Sequence, residues 1–218
     1  MRLRLLACLI LAMQLAFLPA SGPSYAAETQ QAAKSYDYTV LPLERNGYKL
    51  HLDCLRSVDT PYKKNILLVH GLTYSSHELT VNYGDYSLAR FLADKGYAVW
   101  RVDVAGYGQS QAVEDGFMPN SDYAAEDVAA AAAAILKISG QKQLDVLGWS
   151  WGTVTSSRFA AKHPDMVRRL VLYAPILSGL GAGNVTSPFN NNTWVHAAGD
   201  FQMTKDGAID YNIVEPAV

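Results

Sequence analysis

The sequence predicts an α/β protein: a mostly parallel sheet with helices on both faces, opened by an antiparallel hairpin. Three observations carry this. Short apolar runs alternate with helical patterns from Asn65 to Tyr173, which is how parallel strands joined by crossover helices read. Asn46-Gly47 stands between two alternating segments, and both residues accept the positive φ that a tight hairpin turn needs. Gly148-Trp149-Ser150-Trp151-Gly152 follows an apolar run and precedes a helical pattern, so a serine stands at the tip of a strand–turn–helix.

Residues 1–26 read as a secretory signal peptide. Arg2 and Arg4 form its positive end and Leu5 to Leu18 its apolar stretch. Pro19 to Pro23 break that stretch, and Ser24-Tyr25-Ala26 puts small residues ahead of a cut after Ala26. The apolar stretch is shorter than the ~20 residues of a membrane-spanning helix. No stable membrane anchor is expected after cleavage, and the product is expected to be exported, periplasmic or extracellular. Cys8 belongs to the apolar stretch, which is too short before it to make a lipoprotein box. Residues 27–35, polar and rich in Gln and Ala, are expected to form a flexible mature N-terminus.

The folded core is expected over 36–175. Tyr36 to Leu43 and Tyr48 to Leu55 alternate and make the hairpin. Asn65 to Val69, apolar without a break from Ile66 on, has the pattern of a strand covered on both faces. Asp85 to Lys95 has helical spacing and stops at Gly96. Tyr97 to Val102 is a strand. Ser121 to Ser139 is an alanine-rich helix, with Ser121 or Asp122 as its N-cap and Gly140 as its stop. Gln143 to Leu147 is the strand before the serine, Thr153 to His163 the helix after it, and Val167 to Tyr173 a further strand. Residues 176–218, rich in Gly, Ser and Asn at first, are expected to begin a lid or cap.

Composition bounds the function. The chain has 218 residues, 50% hydrophobic and 17% charged, enough apolar side chain to fill a core. A net charge of -2 gives no electrostatic case for nucleic acid. Without the signal peptide Cys54 is the one cysteine left, so no internal disulfide is expected, and its place in an alternating strand marks it as a buried structural residue. Histidines and cysteine lack metal-ligand spacing, and Gly106-Tyr107-Gly108 lacks the third glycine of a dinucleotide loop. No metal or cofactor is expected.

Three motifs end predicted strands: His70-Gly71-Leu72, Asp103 to Ser110, and Gly148 to Gly152. In this order they resemble an α/β-hydrolase, similar to secreted esterase, lipase and serine-peptidase members of that superfamily, over Tyr36 to Pro175. The resemblance implies that Ser150 is a catalytic nucleophile. It implies an oxyanion hole from the N–H groups of Trp151 and Leu72, with His70, Gly71, Gly148 and Gly152 supporting the loops. Asp103 is then structural, able to accept N–H bonds within the Gly106/Gly108 loop. Trp149 and Trp151 are either core fillers or walls of an apolar acyl pocket; Tyr74, His77 and Tyr83 are weaker pocket candidates. Serine at the elbow sets the chain apart from dehalogenase-like and epoxide-hydrolase-like members, which carry aspartate there.

In the family the acid and then the histidine follow the nucleophile. After Ser150 stand His163, in or ending the elbow helix, and His196, with Asp200, Asp206 and Asp210, none preceded by a strand pattern. The expectation is that the triad acid and histidine are missing from this chain, which is truncated, and that Val167 to Tyr173 is an unpaired sheet edge. The functional reading is a serine hydrolase cleaving carboxylic esters through an acyl-enzyme on Ser150. One alternative is a prolyl-iminopeptidase-like aminopeptidase acting on short peptides, suggested by Trp151 after the serine. The other is a non-catalytic module that binds an acyl ligand. Oligomeric state is not legible.

Overall fold

The computed structural model describes residues 34–177, 187–189, 193, 199 and 203–213. The expected signal peptide over 1–26, all but the end of the 27–35 segment, and most of the 176–218 segment lie outside the described residues. Among the described residues no helix is long and apolar enough to cross a membrane.

The hairpin pairs β1 (Tyr36–Arg45) with β2 (Tyr48–Ser57), and Asn46 and Gly47 both take positive φ, 51° and 81°, at its turn. Then follow β3 (Lys64–Val69), a short 3-10 turn (Ser76–Leu79), α1 (Leu88–Asp94), β4 (Tyr97–Asp103), α2 (Ser121–Ser139), β5 (Leu144–Trp149), α3 (Trp151–Lys162) and β6 (Val167–Tyr173). The strands form one six-stranded sheet in the order β1-β2-β4-β3-β5-β6. β1, β2 and β4 are antiparallel neighbours, whereas β4, β3, β5 and β6 run parallel.

Two apolar layers flank the sheet. On one face α2 and α3 bury Val128, Ala132, Ile135 and Phe159 against Leu52, Leu67, Val102 and Val146. On the other, α1 packs Ala89 and Ala93 against Leu55, Ile66, Leu68, Val99 and Leu147. The alanines of α2 let it lie close on the strands. Cys54 is buried in the first layer. Burial pushes its thiol pKa up to about 12, so it stays protonated and unreactive.

Three helix starts differ from the sequence expectation, two of them through side-chain caps. α2 is capped by Asn120, whose side chain accepts the N–H groups of Asp122 and Tyr123, rather than by Ser121 or Asp122. α1 starts at Leu88 because Ser87 accepts the Arg90 N–H, leaving Asp85 and Tyr86 in the preceding turn. α3 starts two residues before Thr153, directly after Ser150. β6 has the predicted bounds and stands at the sheet edge among the described residues.

The topology places the site. The chain passes from β3 to β4 on one side and then crosses back to β5 on the other side of β3, and the crevice where the direction of winding reverses opens beyond the carboxyl ends of these strands. The His70, Asp103 and Gly148 to Gly152 motifs all lie at that end.

Candidate active site

β5 delivers Ser150 and α3 begins one residue later. Ser150 has φ 52° and ψ -118°, a region that costs a non-glycine residue about 1–3 kcal/mol. The surroundings enforce it. The Ser150 N–H donates to Tyr173 O at 3.0 Å, continuing the β5–β6 ladder, while Ser150 O accepts from Thr153 N–H at 2.9 Å and Thr153 Oγ1 at 2.6 Å. The Ser150 side chain makes no hydrogen bond to another described residue.

Gly148 and Gly152 are required by close approach. A Cβ on Gly152 would lie 2.6 Å from His70 O and still closer to Val69 O; one on Gly148 would lie 2.6 Å from the Gly152 carbonyl carbon and closer still to Ser156 Oγ. Helix and strands therefore meet backbone to backbone, and Trp151 N–H becomes the first of a helix, with no intrahelical acceptor.

Gly71 brings the neighbouring loop beside the serine: a Cβ built on it would be 3.5 Å from Ser150 Cβ and 3.2 Å from the Trp149 ring. His70, fully buried, fixes this loop. Gly71 O can only accept, so His70 Nδ1 carries the proton of their 2.7 Å bond; Nε2 then accepts the Val104 N–H at 3.3 Å. Burial holds the His70 pKa below 6.5, keeping the ring neutral as both bonds require. In a trans peptide C=O and N–H point opposite ways. With Gly71 O turned toward the buried ring, Leu72 N–H points the other way, outward. The Leu72 side chain is 54% exposed.

Asp103, also buried, accepts Ser76 N–H at 2.7 Å and Gln109 N–H at 2.9 Å, tying the β3 and β4 loops together. The two tryptophans part company. Trp151 is core: its Nε1 donates to Ser121 Oγ at 2.9 Å, and its ring stacks on Tyr107 at 5.6 Å among Val104, Ala124 and Ile176. Trp149 faces the site, against Gly71 and 6.0 Å from the Tyr74 ring.

None of the described histidines meets Ser150. His70 is fully engaged, His51 sits 2.8 Å from Asp53 on β2, and His77 is exposed on the 3-10 turn. His163 ends α3 with Nε2 3.4 Å from Glu126 Oε2. His196 and Asp200 lie outside the described residues. Asp206 and Asp210 bond locally, to Thr204 and Asn212. No cluster of three or more metal-ligating side chains occurs among the described residues. A cavity of about 150 Å³ lined by Leu41, Cys54, Asn65 and Trp100 opens at the opposite, amino-terminal end of β3 and β4.

A family model described as alpha/beta hydrolase fold matches residues 64–216. The chain belongs to the α/β-hydrolase fold family. Human gastric triacylglycerol lipase is 31% identical over 138 residues, 57% of this chain and 35% of the lipase. The pimeloyl-[acyl-carrier protein] methyl ester esterase of Chromobacterium violaceum is 35% identical over 103 residues, 46% of this chain and 32% of the esterase. The match thus spans about a third of the length of these curated relatives. Among solved structures, epoxide hydrolases of Vigna radiata and Solanum tuberosum (the latter a point variant) superpose with TM-scores of 0.52. Their identities are 17% and 20%, over 66% of this chain and 39% and 41% of theirs. At such identity the likeness concerns the fold.

One residue of this α/β-hydrolase site escaped the sequence reading. Glu78 Oε1 accepts the Gly71 N–H at 2.8 Å. The signal was present: Ser75-x-x-Glu78 is a capping-box pattern, and Ser75 does cap the 3-10 turn.

Proposed function

We propose that the protein is a serine hydrolase of carboxylic esters, with Ser150 as nucleophile and the N–H groups of Trp151 and Leu72 as oxyanion donors. The single observation behind this reading is the convergence at one point of a strained Ser150 whose side chain bonds no other described residue, a helix-start N–H without an intrahelical acceptor and the Gly71–Leu72 peptide held with its N–H outward. Ser150 Oγ attacks the ester carbonyl and its proton passes to a histidine. The carbonyl oxygen becomes an oxyanion between the two N–H groups; such donors contribute about 3–4 kcal/mol each to barrier lowering. The tetrahedral species collapses with loss of the alcohol, and water releases the acid from Ser150 by the same steps.

The histidine and acid of the triad, on this reading, come from outside the described residues. Trp149 and Tyr74 then border the acyl group beside Gly71. Relatives named as lipases and as a methyl ester esterase favour an ester over a peptide bond. We further propose export by cleavage after Ala26. The test is a panel of short and medium-chain p-nitrophenyl esters against aminoacyl amides, using the full-length product and its Ser150→Ala variant. Ester turnover abolished by Ser150→Ala is expected. Preferential cleavage of amides, or ester turnover surviving the substitution, would reject the reading.

A further inference from the structure

Glu78 departs from the capping box to which it belongs. In that box the acidic side chain turns back to the N-cap backbone. Here the carboxyl reaches across to Gly71 N–H instead, at 2.8 Å, while Ser75 Oγ accepts from His77 N–H and the Glu78 N–H goes to Ser75 O. Its platform is rigid: Leu79 is buried against the α1 face of the sheet, and Ser76 N–H is bonded to Asp103. The two peptide units that bracket Gly71 are therefore gripped from opposite ends of the loop. Glu78 takes the N–H of the first, and His70 takes the carbonyl of the second. The N–H of that second unit belongs to Leu72.

We propose that Glu78 is a positioning residue for the hydrolytic site: its carboxyl group fixes the Gly71 peptide and thereby sets where the Leu72 N–H points. The inference rests on the Ser150 reading above. Glu78 Oε2 is buried and has no hydrogen-bond partner among the described residues. A carboxylate in that state is costly. Burial, with the like charge of Asp103 adding to it and the Gly71 bond opposing, raises the Glu78 pKa to about 7.

The other titratable or charged groups around it offset little. His70 at the end of β3 is neutral, and His77 in the same turn is exposed. Arg101 of β4 reaches Thr80 but is taken up by Asp53 at 2.7 and 2.9 Å. The neutral carboxyl keeps the Gly71 bond through its carbonyl oxygen. The ionised form keeps the bond too, yet sets a negative charge one residue from a donor meant for an oxyanion. Ester hydrolysis should therefore fall as pH rises through about 7, on top of any rise from a histidine base.

Two measurements on the full-length product test this. The Gly71 amide proton and nitrogen shifts, followed from pH 5 to 9, should titrate with a midpoint near 7 in the wild type and stay flat in Glu78→Gln. In parallel, the rate of Ser150 phosphonylation by a fluorophosphonate should fall about tenfold or more in Glu78→Ala. It should recover most of that loss in Glu78→Gln, which keeps an acceptor for Gly71, without the decline above pH 7. A Gly71 amide insensitive to pH, or a Glu78→Ala protein that folds and reacts like wild type, would overturn the proposal. A titrating Gly71 amide in a wild type that is never phosphonylated would overturn the Ser150 reading while supporting the Glu78 grip on the loop.

Discussion

Replacing Gly152 by alanine tests the backbone contact on which the site depends. The new methyl would lie 2.6 Å from His70 O and closer to Val69 O, where ordinary contact begins at 3.4 Å. The start of α3 must then retreat from β3 by about 1 Å to clear Val69 O, and neither carbonyl can rotate away because both are main chain. Two effects oppose each other. Alanine favours a helix over glycine by about 1 kcal/mol, whereas overpacking costs about 1–3 kcal/mol, toward the upper end against fixed backbone. A net loss of about 2 kcal/mol follows, measurable as a lowered urea midpoint at unchanged m-value. The retreat carries Ser150 and the Trp151 N–H away from the His70–Gly71 loop. A misplacement of about 1 Å costs on the order of 10² in rate, so Ser150 phosphonylation should slow by about that factor while the protein remains folded. A Gly152→Ala variant as stable as wild type or more so, with unchanged labelling, would refute the reasoning.

Other outcomes follow from the same geometry. His70→Ala leaves Gly71 O and Val104 N–H without their buried partner, a loss of about 3 kcal/mol in urea unfolding. Because folding lowers the His70 pKa below the unfolded 6.5, its neutral-ring contribution is present above pH 6.5 and drains away as pH falls, so the wild-type advantage over His70→Ala should shrink in acid. Glu78 has the opposite sign. Its folded pKa of about 7 exceeds the ordinary 4.5, so the folded state binds the extra proton, and wild type should lose about 1–2 kcal/mol relative to Glu78→Gln between pH 4.5 and 7. Arg45→Met strands the buried Asp127, which Arg45 Nε contacts at 2.5 Å. About 3 kcal/mol should be lost by thermal or urea unfolding.

Most of the framework was legible because burial leaves simple patterns. Ile66 to Val69 is buried on both faces and reads as an unbroken apolar run, and Asn46-Gly47 states its turn by composition. Val167 to Tyr173 gave its own bounds. The helix starts were less legible. Asn120, Ser121 and Asp122 are all good caps, and Asn120 takes the role by accepting the Asp122 and Tyr123 N–H groups. Ser87 likewise competes with Asp85 and wins through its bond to Arg90. Within the site, the Gly-x-Ser-x-Gly spacing announced the strained Ser150, since only glycines fit where α3 meets β3 and β5. Trp149 and Trp151 could not be separated, because both are large and apolar; the strand-to-helix turn sends one to Gly71 and the other to Tyr107. Glu78 was hidden because a capping box satisfies it locally on paper, whereas its carboxyl bonds seven residues back, across a loop that no local pattern describes.

On the proposed function Ser150 is a nucleophile held ready beside an oxyanion hole. The most direct test is incubation of the full-length product with a fluorophosphonate, followed by peptide mass spectrometry. One stoichiometric adduct is expected, on Ser150, and none on the Ser150→Ala variant. Absence of an adduct in a correctly folded protein, or an adduct on another residue that persists in Ser150→Ala, would contradict it.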